Sequence, residues 1–140
     1  MLQEKGRAAQ ATSPTAKTIL LVEDDQSIGD FLVTAIEQET PHYPLLLADS
    51  FQALEAVEDI KPDLLILDYC LPRMNGLDLY DHLQEQEGLT DVPTIMISAN
   101  FSFPPSELAR RHITSLKKPF DLDAFLPLIE RLLLPDEDTL

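Results

Sequence analysis

The stretch Pro62-Asp63-Leu64-Leu65-Ile66-Leu67-Asp68 decides the fold. Apolar residues fill every position from Leu64 to Leu67, and a carboxylate follows at once. A strand with one face in water alternates apolar and polar residues, whereas unbroken apolarity suits a central parallel strand covered on both faces. Asp63–Asp68 therefore reads as the middle strand of a sheet with helices on either side, and Asp68 stands at its carboxyl end.

Upstream of it, Thr18–Val22 is apolar and β-branched, hence a second buried strand. Gln26–Glu39 carries Ile28, Phe31, Leu32, Ala35 and Ile36 at helical spacing. Leu45–Ala48 is a short apolar run. Ser50 can cap a helix holding Ala53, Leu54, Ala56, Val57 and Ile60, which Pro62 ends. Downstream, Leu77, Leu79, Tyr80 and Leu83 predict a helix near Asn75–Gln86. Thr94–Ser98 reads as the fourth strand, Ser106–His112 as a short helix and Thr114–Lys118 as a weak fifth strand. Asp121 can cap a last helix reaching Leu134, with Pro127 inside it predicting a kink or one lost backbone bond. Strands and helices alternate with no internal repeat, so the class is α/β with a parallel sheet and right-handed crossovers.

The bulk numbers fit one domain. A chain of 140 residues with 44% hydrophobic content buries a core without disulfides. Residues 1–17 lack an apolar period and read as a mobile tail, 18–134 as the folded domain, and 135–140 as a short acidic tail. No apolar run is long enough to span a bilayer, and no signal-peptide core is seen near Met1. The lone cysteine, Cys70, excludes an internal disulfide and suits a reducing, cytoplasmic setting. With 10 Lys and Arg against 25 Asp and Glu, the formal net charge is −15, which disfavours direct binding to nucleic acid or to an anionic membrane.

Open α/β sheets bind ligands beyond the carboxyl ends of their strands. There this sequence is polar in a pattern. The first strand runs into Glu23, Asp24 and Asp25, the third ends at Asp68, the fourth at Ser98, and the fifth at Lys117, Lys118 and Pro119. Two carboxylates about 4 Å apart repel by roughly 4 kcal/mol at an effective dielectric near 20. A cluster of three therefore holds a proton or a cation. Oxygen donors on a partly hydrated rim suit Mg²⁺. The histidines, His42, His82 and His112, are scattered and offer no zinc site. A metal, a lysine and a hydroxyl around one carboxylate can neutralise a phosphoryl group while that carboxylate attacks it.

These motifs, in this order, resemble the receiver domain of two-component response regulators. The matching stretches are Ile19–Asp25, Pro62–Asp68, Leu71-Pro72-Arg73-Met74-Asn75-Gly76, Val92–Ala99 and Lys118-Pro119-Phe120. The resemblance implies a doubly wound, five-stranded parallel sheet of order 2-1-3-4-5. It implies Asp68 as the phosphoacceptor, supplied by a sensor histidine kinase or a phosphotransfer protein. Mg²⁺ would be held by Glu23, Asp24, Asp68 and the backbone carbonyl of Cys70, with Asp24 a direct ligand and Glu23 acting partly through water. Lys118 would pair with the phosphoryl oxygens, and Ser98 would move inward as the switch. Gly76, after Asn75, is expected in a tight turn at positive φ. Met1 and the short tails suggest a single-domain regulator acting by protein contact; its target stays open, as does homodimer against monomer.

Two departures stand out. Ser115 occupies the position, three before the lysine, where the family commonly has an aromatic residue. Asn100–Thr114, with Phe101, Phe103, Pro104 and Pro105, lacks the usual small-residue loop and predicts a short fourth helix. Three other readings fit these residues less well. A small Mg²⁺-dependent phosphatase with an Asp nucleophile needs a second acid where Cys70 stands. A flavodoxin-like phosphate loop would meet repulsion from Glu23-Asp24-Asp25. A degenerate receiver, bound by partners but never phosphorylated, sits poorly with an intact set of acceptor residues.

Overall fold

A computed structural model describes residues 16–86, 88–99 and 104–134. Five strands and five helices alternate along them: β1 (Thr18–Val22), α1 (Gln26–Glu39), β2 (Tyr43–Leu47), α2 (Ser50–Ala56), β3 (Leu64–Asp68), α3 (Gly76–Gln84), β4 (Thr94–Ser98), α4 (Pro105–Arg110), β5 (Thr114–Lys117) and α5 (Leu122–Leu133). All pairings are parallel and the strand order is β2-β1-β3-β4-β5. This is the expected α/β architecture and order. The central position of β3 follows from its sequence, since all five of its residues are buried.

Helices cover both faces. On one side Leu20, Leu65, Leu67 and Met96 pack with α2 and α3 residues such as Ala53, Leu79 and Leu83. On the other, Leu21, Ile66 and Ile97 meet Leu32 and Ile36 of α1 and Phe125 and Ile129 of α5. Successive strand residues thus serve opposite cores, which is why every position from Leu64 to Leu67 must be apolar.

Several local expectations are corrected. β2 begins at Tyr43, two residues before the apolar run, and admits Pro44 because it is the sheet's edge strand. The cap of α2 is Asp49, whose carboxylate accepts the Gln52 N–H at 2.8 Å, while Ser50 is the first helical residue. That helix stops at Ala56, well short of Pro62. β3 begins at Leu64, and just before it the Asp63 carboxylate accepts the Thr18 N–H at 2.9 Å. α3 starts at Gly76 with Asn75 as its cap, and ends at Gln84. α4 spans Pro105–Arg110, and its expected shortness is met. β5 ends at Lys117. Asp121 sits at the cap position of α5 without a side-chain cap bond, and the helix runs on through Pro127. The tails, except for Ala16 and Lys17, and Asn100–Phe103 lie outside the described residues. Among the described residues, no helix is long and apolar enough to cross a membrane.

Candidate functional site

The parallel sheet brings the carboxyl ends of β1, β3, β4 and β5 to one rim. Backbone bonds tie these ends together beyond the strands themselves. The Glu23 N–H donates to the Leu47 carbonyl (3.0 Å), Tyr69 N–H to Ile97 (2.8 Å) and Lys118 N–H to Ser98 (2.7 Å). Glu23, Asp68, Ser98 and Lys118 therefore grow from backbone that is tied, directly or through the next residue, to a neighbouring strand.

Glu23, Asp24 and Asp68 each present a carboxylate oxygen at this rim, all within 4.8 Å of one another. Glu23 is 4% exposed and Asp68 5%, whereas Asp24 faces solvent. Asp25, the fourth acid nearby, is spent elsewhere: its carboxylate caps α1 by accepting the Ile28 N–H at 3.1 Å. Lys118 reaches in between, with Nζ 3.2 Å from Glu23 Oε1 and 3.3 Å from Asp68 Oδ2. The second oxygen of each buried acid takes a backbone donor: Asp25 N–H to Glu23 Oε2 and Cys70 N–H to Asp68 Oδ1, both at 3.1 Å. Ser98 is fully buried at the end of β4, one residue past the Asp68–Ile97 register pair. Cys70 is exposed, two residues beyond Asp68.

One ammonium cannot offset three carboxylates. Burial, followed by the hydrogen bond to Asp68, pushes the Glu23 carboxyl up to about 7. Lys118 moves upward too: burial opposes its charge, but the attractions of Asp68 and Glu23 outweigh it. The rim is thus short of positive charge and built of hard oxygen donors, which fits a small divalent cation such as Mg²⁺.

The loop leaving Asp68 corrects one expectation. The tight turn lies earlier, at Pro72–Met74, closed by Met74 N–H to the Pro72 carbonyl at 2.7 Å with Arg73 at positive φ (69°), whereas Asn75 caps α3 and Gly76 is its first residue. Gly76 is required for closeness instead. A Cβ there would lie 2.5 Å from the Asp68 carbonyl oxygen and 2.7 Å from Met96 Sδ. Sequence spacing carries no sign of that approach. Ser115 lies exposed on β5. Of the histidines, His42 is buried, with Nδ1 accepting the Lys17 N–H at 3.0 Å, and the other two are exposed. Beside Lys118 and Ala99, a groove of about 390 Å³ is lined by Ile28, Phe31, Leu32, Pro119 and Phe120. Phe31 is 52% exposed.

Comparison with known proteins agrees with this geometry. The chain is 39% identical over 84 residues to the phosphate regulon transcriptional regulatory protein PhoB of Pseudomonas aeruginosa, which covers 59% of this chain and 36% of PhoB. It thus spans about a third of that relative's length. Among solved structures, NtrX from Brucella abortus superposes with a TM-score of 0.74 at 30% identity, covering 84% of this chain and 27% of NtrX. The Vibrio cholerae chemotaxis protein CheY4 superposes with a TM-score of 0.76 at 23% identity, covering 84% and 98%, a likeness of fold. The model of the response regulator receiver domain family matches residues 19–130. A two-sided parallel sheet of this order, its acidic rim and that match together make the chain a member of the response regulator receiver domain family.

Proposed function

We propose that this receiver is phosphorylated on Asp68 by a sensor histidine kinase or a phosphotransfer protein, in a Mg²⁺-dependent reaction, and that the change alters partner binding. One observation carries the reading: the Lys118 ammonium lies between Glu23 and Asp68, beside Asp24, at a single rim. An Asp68 carboxylate oxygen attacks phosphorus. The P–N bond of the donor phosphohistidine breaks, and the imidazole leaves with that electron pair and takes up a proton. Glu23, Asp24, Asp68 and the Cys70 backbone carbonyl would hold Mg²⁺, which offsets the charge gathering on the phosphoryl oxygens.

The chain's own groups do the remainder. Lys118 is already drawn to the acceptor and transfers its attraction to the phosphoryl group. The Cys70 N–H orients Asp68. Ser98 has its hydroxyl at the end of the adjacent strand, where a small inward shift lets it donate to a phosphoryl oxygen. Since Ser115 stands where the family commonly has an aromatic side chain, the switch works here without an aromatic step at that position. With net charge −15, the reading favours protein partners over nucleic acid. The exposed Phe31 and its apolar groove offer such a partner a surface. This work belongs in the cytoplasm, where kinases make phosphohistidine from ATP.

Incubation with Mg²⁺ and acetyl phosphate is expected to add one phosphoryl mass, read by intact-mass spectrometry. Asp68→Asn is expected to abolish the addition, and chelation of Mg²⁺ to halt it. Lys118→Ala is expected to keep the mass but lose the conformational response. A wild-type chain that never gains the mass would instead be a degenerate receiver.

A further inference from the structure

The loop from Tyr69 to Asn75 is held from the side by the first turn of α2. Ser50 is fully buried and donates its hydroxyl to the Met74 carbonyl at 2.8 Å. The Arg73 guanidinium lies 4.5 Å from the centroid of the Phe51 ring and 3.6 Å from the Asp49 carboxylate. Arg73 itself sits at φ 69°, in the left-handed region that side chains disfavour. At its far end the loop closes through the Gly76 N–H on the Tyr69 carbonyl, at 2.8 Å. A backbone bent this tightly keeps its shape only where its surroundings hold it. The three side chains from α2 and its cap supply that hold, and the phosphoryl chemistry uses none of them.

We propose that Asp49, Ser50 and Phe51, acting on Met74 and Arg73, form a positioning clasp that places the Cys70 backbone and so sets the divalent-cation affinity of the acidic rim. The inference rests on the proposed metal site, in which Cys70 contributes a carbonyl. A carbonyl has no rotamers with which to find an ion. Its place is fixed by the loop alone, as second-layer contacts fix side-chain ligands.

Titration calorimetry of the whole chain with Mg²⁺, without phosphodonor, tests this. Ser50→Ala and Arg73→Ala are each expected to raise the Mg²⁺ Kd roughly five- to tenfold. Arg73→Ala removes the guanidinium while keeping the left-handed backbone demand, and because the side chain is mostly exposed it folds even if Ser50→Ala is impaired. Ile129→Val, a core trim on α5, serves as a control for general loss of stability and is expected to keep the wild-type Kd. Transfer from acetyl phosphate in both clasp variants is expected to recover at saturating Mg²⁺. Wild-type affinity in both variants overturns the clasp, as does an equal loss in Ile129→Val or a transfer defect that persists at saturating metal. A wild-type chain that binds no Mg²⁺ overturns the reading of the rim itself, and the clasp with it.

Discussion

β3 and β5 belong to one sheet and end at one rim, yet they are built differently. β3 is buried at all five positions and flanked by strands on both sides. β5 is an edge strand of four residues, alternately half-buried and exposed. The helix before it, α4, has six residues and buries only Leu108. That corner is held by polar contacts: Arg111 bonds both oxygens of Asp81 on α3, at 2.8 and 3.0 Å, and Glu107 at 2.8 Å. Asp68 thus stands on a fully buried central strand and Lys118 beside a half-exposed edge strand. The proposed phosphorylation would use both, a buried point where phosphoryl arrives and an exposed edge that registers it.

Substitutions at the two places are expected to differ accordingly. Leu65→Ala should be the most damaging, costing about 3 kcal/mol by urea denaturation, because no neighbour of β3 can collapse into the void. Gly76→Ala should cost about 2 kcal/mol and also weaken Mg²⁺ binding, since the added methyl meets the backbone of Asp68. A pH-dependent effect should come from Glu23. Its carboxyl is raised in the folded chain, so between about 4.5 and about 7 the folded state binds the extra proton. Without metal, stability therefore falls as pH rises through that window and levels off above it. His42, lowered by burial, slopes the other way near its usual value. The difference between wild type and Glu23→Gln isolates the Glu23 contribution, and Mg²⁺ should reduce it. Smallest is Arg111→Ala, expected below about 1 kcal/mol, with faster amide exchange confined to α4 and β5. Uniform acceleration across β3 as well would erase the contrast between centre and edge.

The same contrast explains what the sequence discloses. β1, α1 and β4 have the bounds their residues predict, because buried strands and a long amphipathic helix write their periods plainly. The rim was legible because a parallel sheet needs only the residue after each apolar run to locate it. Less legible was whatever depends on contacts across the chain. The extension of β2 to Tyr43 comes from pairing with β1, which excuses Pro44 at an edge. Ser50 looks like a cap, but Asp49 competes for the same amides and wins, freeing Ser50 to bond Met74. Gly76 resembles a turn glycine, and only the crowding behind Asp68 reveals its purpose.

The bond from Lys118 N–H to the Ser98 carbonyl has a mechanical consequence. It clips together the ends of two adjacent strands, so the backbones that carry the hydroxyl and the ammonium stay in register. The two strand ends thereby act as one jig for the reactive pair, while Leu108 and Ile113 in the intervening segment anchor it to the core.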